Sequence, residues 1–155
     1  MLLSDHGMLD VCETLDVMGV LARLSCRWPR DYVPFFDSTF ARFWWRSAAA
    51  RGEVRGALEG LGGGRWLADD ELARAGALFP GRDYGEDIYL LDPGVLMLPS
   101  FMGSSRLAAM HGYDAAHPEM AALLCASDPV PEDVRHLKDV RRYLEGGLAW
   151  LAESR

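Results

Sequence analysis

Two short stretches hold the residues best suited to chemistry. Ser4-Asp5-His6-Gly7-Met8 stands near the start, and Met110-His111-Gly112-Tyr113-Asp114 follows about a hundred residues later. A carboxylate and an imidazole are both ligands that Zn²⁺ accepts, at about 2.0–2.2 Å. Neighbouring residues on a strand point to opposite faces, so Asp5 and His6 can share one ion only where the chain leaves the strand. Gly7 permits such a break, and Gly112 does the same after His111. On spacing alone two readings stay open for each histidine: a metal ligand, or a hydrogen-bonded ring at a strand end. His117, ahead of Pro118, and His136, beside Arg135 and near Lys138, read as surface residues.

These residues need elements to hold them. Leu2-Leu3 reads as the end of a buried parallel strand, and α/β proteins place their ligands at such carboxyl ends. Residues 9–36 carry Pro29, Pro34 and the apolar runs Val17–Leu24 and Tyr32–Phe36, which suit a strand or hairpin excursion. The spacing of Phe40, Phe43, Trp44, Ala48, Val54, Ala57, Leu58 and Leu61 predicts a helix from about Ser38 to Leu61. Asp37 or Ser38 would cap it, and Gly62-Gly63-Gly64 would end it. Arg65-Trp66-Leu67 reads as a short strand, and Asp69 or Asp70 as the cap of a brief helix through Ala77. Two strands, Asp87–Leu91 and Val95–Leu98, flank Asp92-Pro93-Gly94, which predicts a hairpin. Met120–Cys125 reads as a buried strand or helix. Pro131 opens a last helix whose apolar stripe is Val134, Leu137, Val140, Leu144, Leu148 and Leu151.

Composition narrows the function classes. At 155 residues, half of them hydrophobic and a quarter charged, the chain suits one globular domain. No apolar run approaches the roughly 20 residues that span a bilayer, and no signal peptide is legible. A cytoplasmic location is the expectation for the sequence as written, and export if a true start lies upstream. The net charge of −7 argues against a nucleic-acid polymer as partner. Cys12, Cys26 and Cys125 are widely spaced and odd in number, which reads as free thiols in a reducing compartment.

The SDHGM stretch at 4–8 and the HGYD stretch at 111–114 resemble two motifs of one family, the nucleotide pyrophosphatase/type I phosphodiesterase branch of the alkaline phosphatase superfamily. Phe36–Trp44, Gly85–Tyr89 and Pro99–Gly103 add to the resemblance, which runs from residue 4 to about residue 130. It implies an α/β fold. The chain would be the carboxyl-terminal part of an alkaline-phosphatase-like sandwich, a mixed, largely parallel sheet flanked by helices. One partial domain would span residues 1–155, with a small α+β insertion at about 30–100. The resemblance also implies two zinc ions as cofactors, with Asp5 and His6 on one and His111 on the other. Hydrolysis of a phosphoester or nucleotide through a phospho-enzyme is the activity it implies.

The chain departs from that pattern in what precedes Asp5. The family's nucleophile, a Thr or Ser, and its other ligands lie before the first motif, where only Met1, Leu2 and Leu3 stand here. Thr14, Ser38 and Thr39 fall on the wrong side of the motif to serve as nucleophile. Glu132 and His136 are four apart but sit among basic residues. The expectation is therefore a carboxyl-terminal half, inactive alone, whose missing amino-terminal half lies upstream or on a partner chain. The alternative is a non-catalytic interaction module that presents Trp28, Trp44, Trp45 and the Phe-rich stretch at 35–43 as a docking face.

Overall fold

Aromatic residues from 32 to 45 form strands that build a hydrophobic core. The computed structural model describes residues 1–153, with side chains described through Gly147. Strands β1 (Leu2–Leu3), β2 (Leu9–Asp10) and β3 (Glu13–Leu15) lead to helix α1 (Val17–Leu21). Strands β4 (Tyr32–Phe36) and β5 (Phe40–Trp45) then form an antiparallel hairpin, with Tyr32 opposite Trp45 and Phe36 opposite Ala41. Helix α2 (Ala48–Leu61), strand β6 (Gly64–Trp66) and helix α3 (Asp69–Arg74) follow. Next come β7 (Asp87–Leu91), β8 (Val95–Met97), β9 (Ala109–Met110), β10 (Leu124–Cys125) and helix α4 (Leu137–Glu153). The architecture is mixed α/β.

The chain divides into two compact units, one of residues 8–120 and one that joins 1–7 to 121–155. In the larger unit the sheet order is β4-β5-β7-β6, antiparallel throughout. Its inner face carries Tyr32, Phe36, Ala41, Phe43, Tyr89 and Leu91, and Val54 and Leu58 of α2 pack against them. Phe43 stacks on Trp45 with centroids 5.2 Å apart and planes 6° from parallel. The buried Tyr89 hydroxyl donates toward the carbonyls of Leu58 and Gly62, each at 3.1 Å, which ties the end of α2 to the sheet. Gly62, with φ of 75°, ends that helix where the triple glycine predicts.

Several expectations are corrected. The helix starts at Ala48 with Ser47 as its cap, and residues 40–45 are a strand. Phe40, Phe43 and Trp44 fit a helical spacing, but Ala41 and Phe43 are buried while Phe40, Arg42 and Trp44 are half-buried, a period of two. Val17–Leu21 is helical. Strands β7 and β8 are not a hairpin: β7 lies between β5 and β6, whereas β8 pairs in parallel with β3. That is one parallel pairing among the named strands, so the largely parallel sheet is not what the described residues form. In the smaller unit β1 pairs antiparallel with β10, and Leu2 and Leu3 are exposed, as are Leu123 and Cys125. The last helix begins at Leu137 rather than Pro131, with Leu137 and Leu144 exposed and Val140 buried. The side chains of Leu148 and Leu151 lie outside the described residues.

Candidate metal centre

Asp5 and His6 lie just after β1, in a bend of the chain. His6 Nδ1 is 2.7 Å from the carbonyl of Gly7, and a carbonyl only accepts, so Nδ1 carries the proton. On a neutral ring this leaves the lone pair on Nε2, which faces Asp5 Oδ1 at 3.4 Å. Two electron-rich atoms that close are stabilised by a cation between them, either a proton on the ring or a metal ion. A histidine that donates its other ring N–H to a carbonyl is also the arrangement that fixes a ligand's tautomer. The Asp5 side chain is 78% exposed and that of His6 36%, so solvent reaches the pair.

His111 belongs to the larger unit and follows β9, which pairs antiparallel with β2. Its ring is half-buried. Gly112 takes a φ of 88°, the left-handed region, and its carbonyl accepts a 2.9 Å hydrogen bond from the Thr39 hydroxyl. Tyr113 is buried, and burial pushes its phenol upward from the usual range. The Asp114 carboxylate receives the Ala116 amide and the Arg65 guanidinium at 2.9 Å each; the two hold it below the usual carboxylate range. Arg65 also pairs with Glu71 at 2.5 Å. Spacing gave no hint of Thr39 or Arg65, because 73 and 49 residues separate them from their partners.

The other histidines serve turns or surface. His117 is half-buried, and its Nδ1 accepts from the Glu119 amide at 3.3 Å. His136 is exposed, and its amide donates to Asp139 at 2.9 Å. All three cysteines are free thiols, Cys26 buried and Cys12 and Cys125 exposed. A hollow of about 390 Å³ in the larger unit is lined by Asp10, Cys12, Gly94, His117 and Glu119 among others, and includes none of the predicted ligands. Among the described residues no three His, Cys, Asp or Glu side chains converge on a point that could hold a metal. The fit to zinc is thus partial. Asp5 and His6 would supply two ligands, and further ones would be needed to complete a zinc shell.

Against solved structures, the fold matches human ectonucleotide pyrophosphatase/phosphodiesterase 5 with a TM-score of 0.59 and 20% identity, over 77% of this chain and 31% of that one. The chain has the fold of part of an ectonucleotide pyrophosphatase/phosphodiesterase. The murine protein matches with a TM-score of 0.58 at the same identity and coverage, as does its inactive form in complex with AMP. The chain therefore spans about a third of the length of the ectonucleotide pyrophosphatase/phosphodiesterases it matches. No family model matches the sequence, and no curated protein matches it. No described helix is long and apolar enough to cross a membrane.

Proposed function

We propose that this chain is the carboxyl-terminal portion of a dizinc phosphodiesterase or nucleotide pyrophosphatase, with an alkaline-phosphatase-like sandwich as the architecture of the whole. Asp5 and His6 hold one zinc and His111 helps to hold the other. The nucleophile and remaining ligands come from residues outside these 155, upstream on the same polypeptide or on a partner chain. The Asp5–His6 pair carries the reading: Nε2 and Oδ1 lie 3.4 Å apart, while Nδ1 is held by the Gly7 carbonyl. The shared fold and the two motifs support it, and the AMP held by the murine protein favours a nucleotide phosphoester as substrate. Bound zinc supplies Lewis-acid polarisation of a phosphoryl group and stabilises charge on attacking and leaving oxygens. What the chain itself contributes is orientation: the Gly7 carbonyl fixes the His6 tautomer and aims its ring beside Asp5.

The reading is tested with the purified chain, Zn²⁺ and bis(p-nitrophenyl) phosphate. The expected result is no p-nitrophenol above the zinc blank, together with calorimetric zinc binding that His6→Ala removes. Turnover that His6→Ala abolishes would sink the half-site reading. Zinc binding untouched by His6→Ala would sink the ligand assignment.

A second reading, a non-catalytic interaction module, is favoured by one observation. Of the residues expected on its docking face, Phe36 and Phe43 are buried, Trp44 and Trp45 half-buried and only Trp28 exposed, its ring centroid 6.3 Å from that of the exposed Phe101. A metal-free monomer with no zinc response at His6 or His111 would support it.

A further inference from the structure

Three arginines of the larger unit are half-buried, and two of them face a carboxylate: Arg55 meets Asp87, and Arg82 meets Asp69. Arg42 faces none among the described residues, and its Nε is shut off from solvent without a hydrogen-bond partner. It lies on β5 with its side chain away from the core, opposite Phe35 of β4 and Ile88 of β7. Its guanidinium carbon is 4.6 Å from the centre of the Phe35 ring, 5.3 Å from Phe40 and 5.9 Å from Tyr84. The rings continue outward on both sides. Phe35 meets Phe101 edge-on at 5.7 Å, Phe101 lies 6.3 Å from Trp28, and Tyr84 lies 4.6 Å from Phe79. Trp28, Phe101, Tyr84 and Phe79 are all exposed, so this is an aromatic strip open to solvent. Asp83, next to Tyr84, is exposed and pairs with no cation among the described residues, whereas Glu86 is tied to the Trp45 amide at 3.2 Å. The strip thus carries one unused cation and one unused anion that do not pair with each other.

We propose that this strip is a self-association surface, and that its occupant is a second copy of the chain related by a two-fold axis. In such a contact one patch meets itself, so Arg42 of each copy reaches Asp83 of the other. The mixed sign decides for a second copy. A two-fold contact needs both charges on one patch, whereas a generally acidic partner is repelled by a net charge of −7, and a basic one would set a like charge against Arg42. Aromatic and arginine side chains are also those enriched in interface cores. Closing the strip takes the exposed rings out of water and gives the ring-flanked guanidinium a charged acceptor. Every residue involved belongs to the larger unit, and the inference is independent of the zinc reading.

Sedimentation of the full chain from about 1 µM to 1 mM, the span of weak association, tests the proposal. The wild type is expected to dimerise as concentration rises. Arg42→Asp or Asp83→Arg alone should weaken the dimer by about tenfold or more, since each sets like charges face to face twice. Mixed in equal amounts, the two variants should form a heterodimer, because both charge pairs are then restored. A wild type that stays monomeric throughout overturns the proposal. So does a dimer that neither variant weakens, or a mixture that does not recover. If Arg42→Asp does not fold, Asp83→Arg and Tyr84→Ser, both at exposed positions, decide: a dimer as tight as the wild type in both would refute the surface.

Discussion

Gly112 shows how a single missing methyl group can hold a site together. Its φ of 88° is a region that L side chains occupy at a cost of about 1–2 kcal/mol. The close approach to Thr39 adds to this, because the hydroxyl ends a short, stiff side chain that is buried and has nowhere to swing. Gly112→Ala must displace Thr39, break its hydrogen bond, or move the segment. The expected destabilisation is about 2 kcal/mol, read as a shift of the urea midpoint with unchanged slope. In a Thr39→Val background the bond is already gone, so the same change should cost less. Full additivity in that double mutant would argue against the contact. At the residue scale the sequence sets Asp5 and His6 side by side, and their Oδ1 and Nε2 lie 3.4 Å apart. The Thr39–Gly112 contact was illegible there, since nothing in a local pattern links residues 73 apart.

At the scale of elements, helix α2 is held to the sheet by a buried charge as well as by Val54 and Leu58. Asp87 on β7 accepts from Arg51 at 2.8 and 2.9 Å, from Trp45 Nε1 at 3.0 Å, and faces Arg55 at 3.3 Å. Burial pushes its carboxyl upward, but Arg51 and then Arg55 more than offset that, and the net shift is downward. A carboxylate with a depressed native pKa contributes stability that is fully present above its unfolded value and lost as pH falls through the native one. Asp87→Asn should therefore cost about 2 kcal/mol at pH 7. The gap to wild type should stay constant down to about pH 4 and close below it. Thermal melts across pH 2.5–8 would check this, and a gap that widened on acidification would refute it. The elements explain why the sequence misled. The aromatic run at 40–45 satisfies helical spacing as well as alternation, and only its partner strands decide between them. Asp92-Pro93-Gly94 does make the turn, with the Val95 amide 3.0 Å from the Asp92 carbonyl. A turn signal sets a reversal, however, and not the strands that pair beyond it. The all-buried Val95–Met97 found a better partner in β3.

At the scale of the whole molecule the burial is unevenly shared. Every residue of the hydrophobic core cluster lies between 15 and 97, inside the larger unit. Among the described side chains of the smaller unit, Val140 alone is buried. A buried Val, Leu or Phe contributes about 1.5–3 kcal/mol, so among the described side chains the smaller unit supplies about one such contribution and the larger unit nearly all the rest. A polypeptide of residues 8–120 should then fold without residues 1–7 and 121–155. It should keep the near-ultraviolet signature of the Phe43–Trp45 stack and melt cooperatively within about 10 °C of the full chain. The Thr39–Gly112 bond lies within that unit too, so the slow exchange expected of the Thr39 hydroxyl should survive the truncation. Asp5 and His6 are removed with residues 1–7, so any zinc affinity that rests on the pair should vanish. A truncated chain that loses its near-ultraviolet signal and melts without a cooperative transition would show that residues 1–7 and 121–155 hold more of the fold than their exposed side chains suggest.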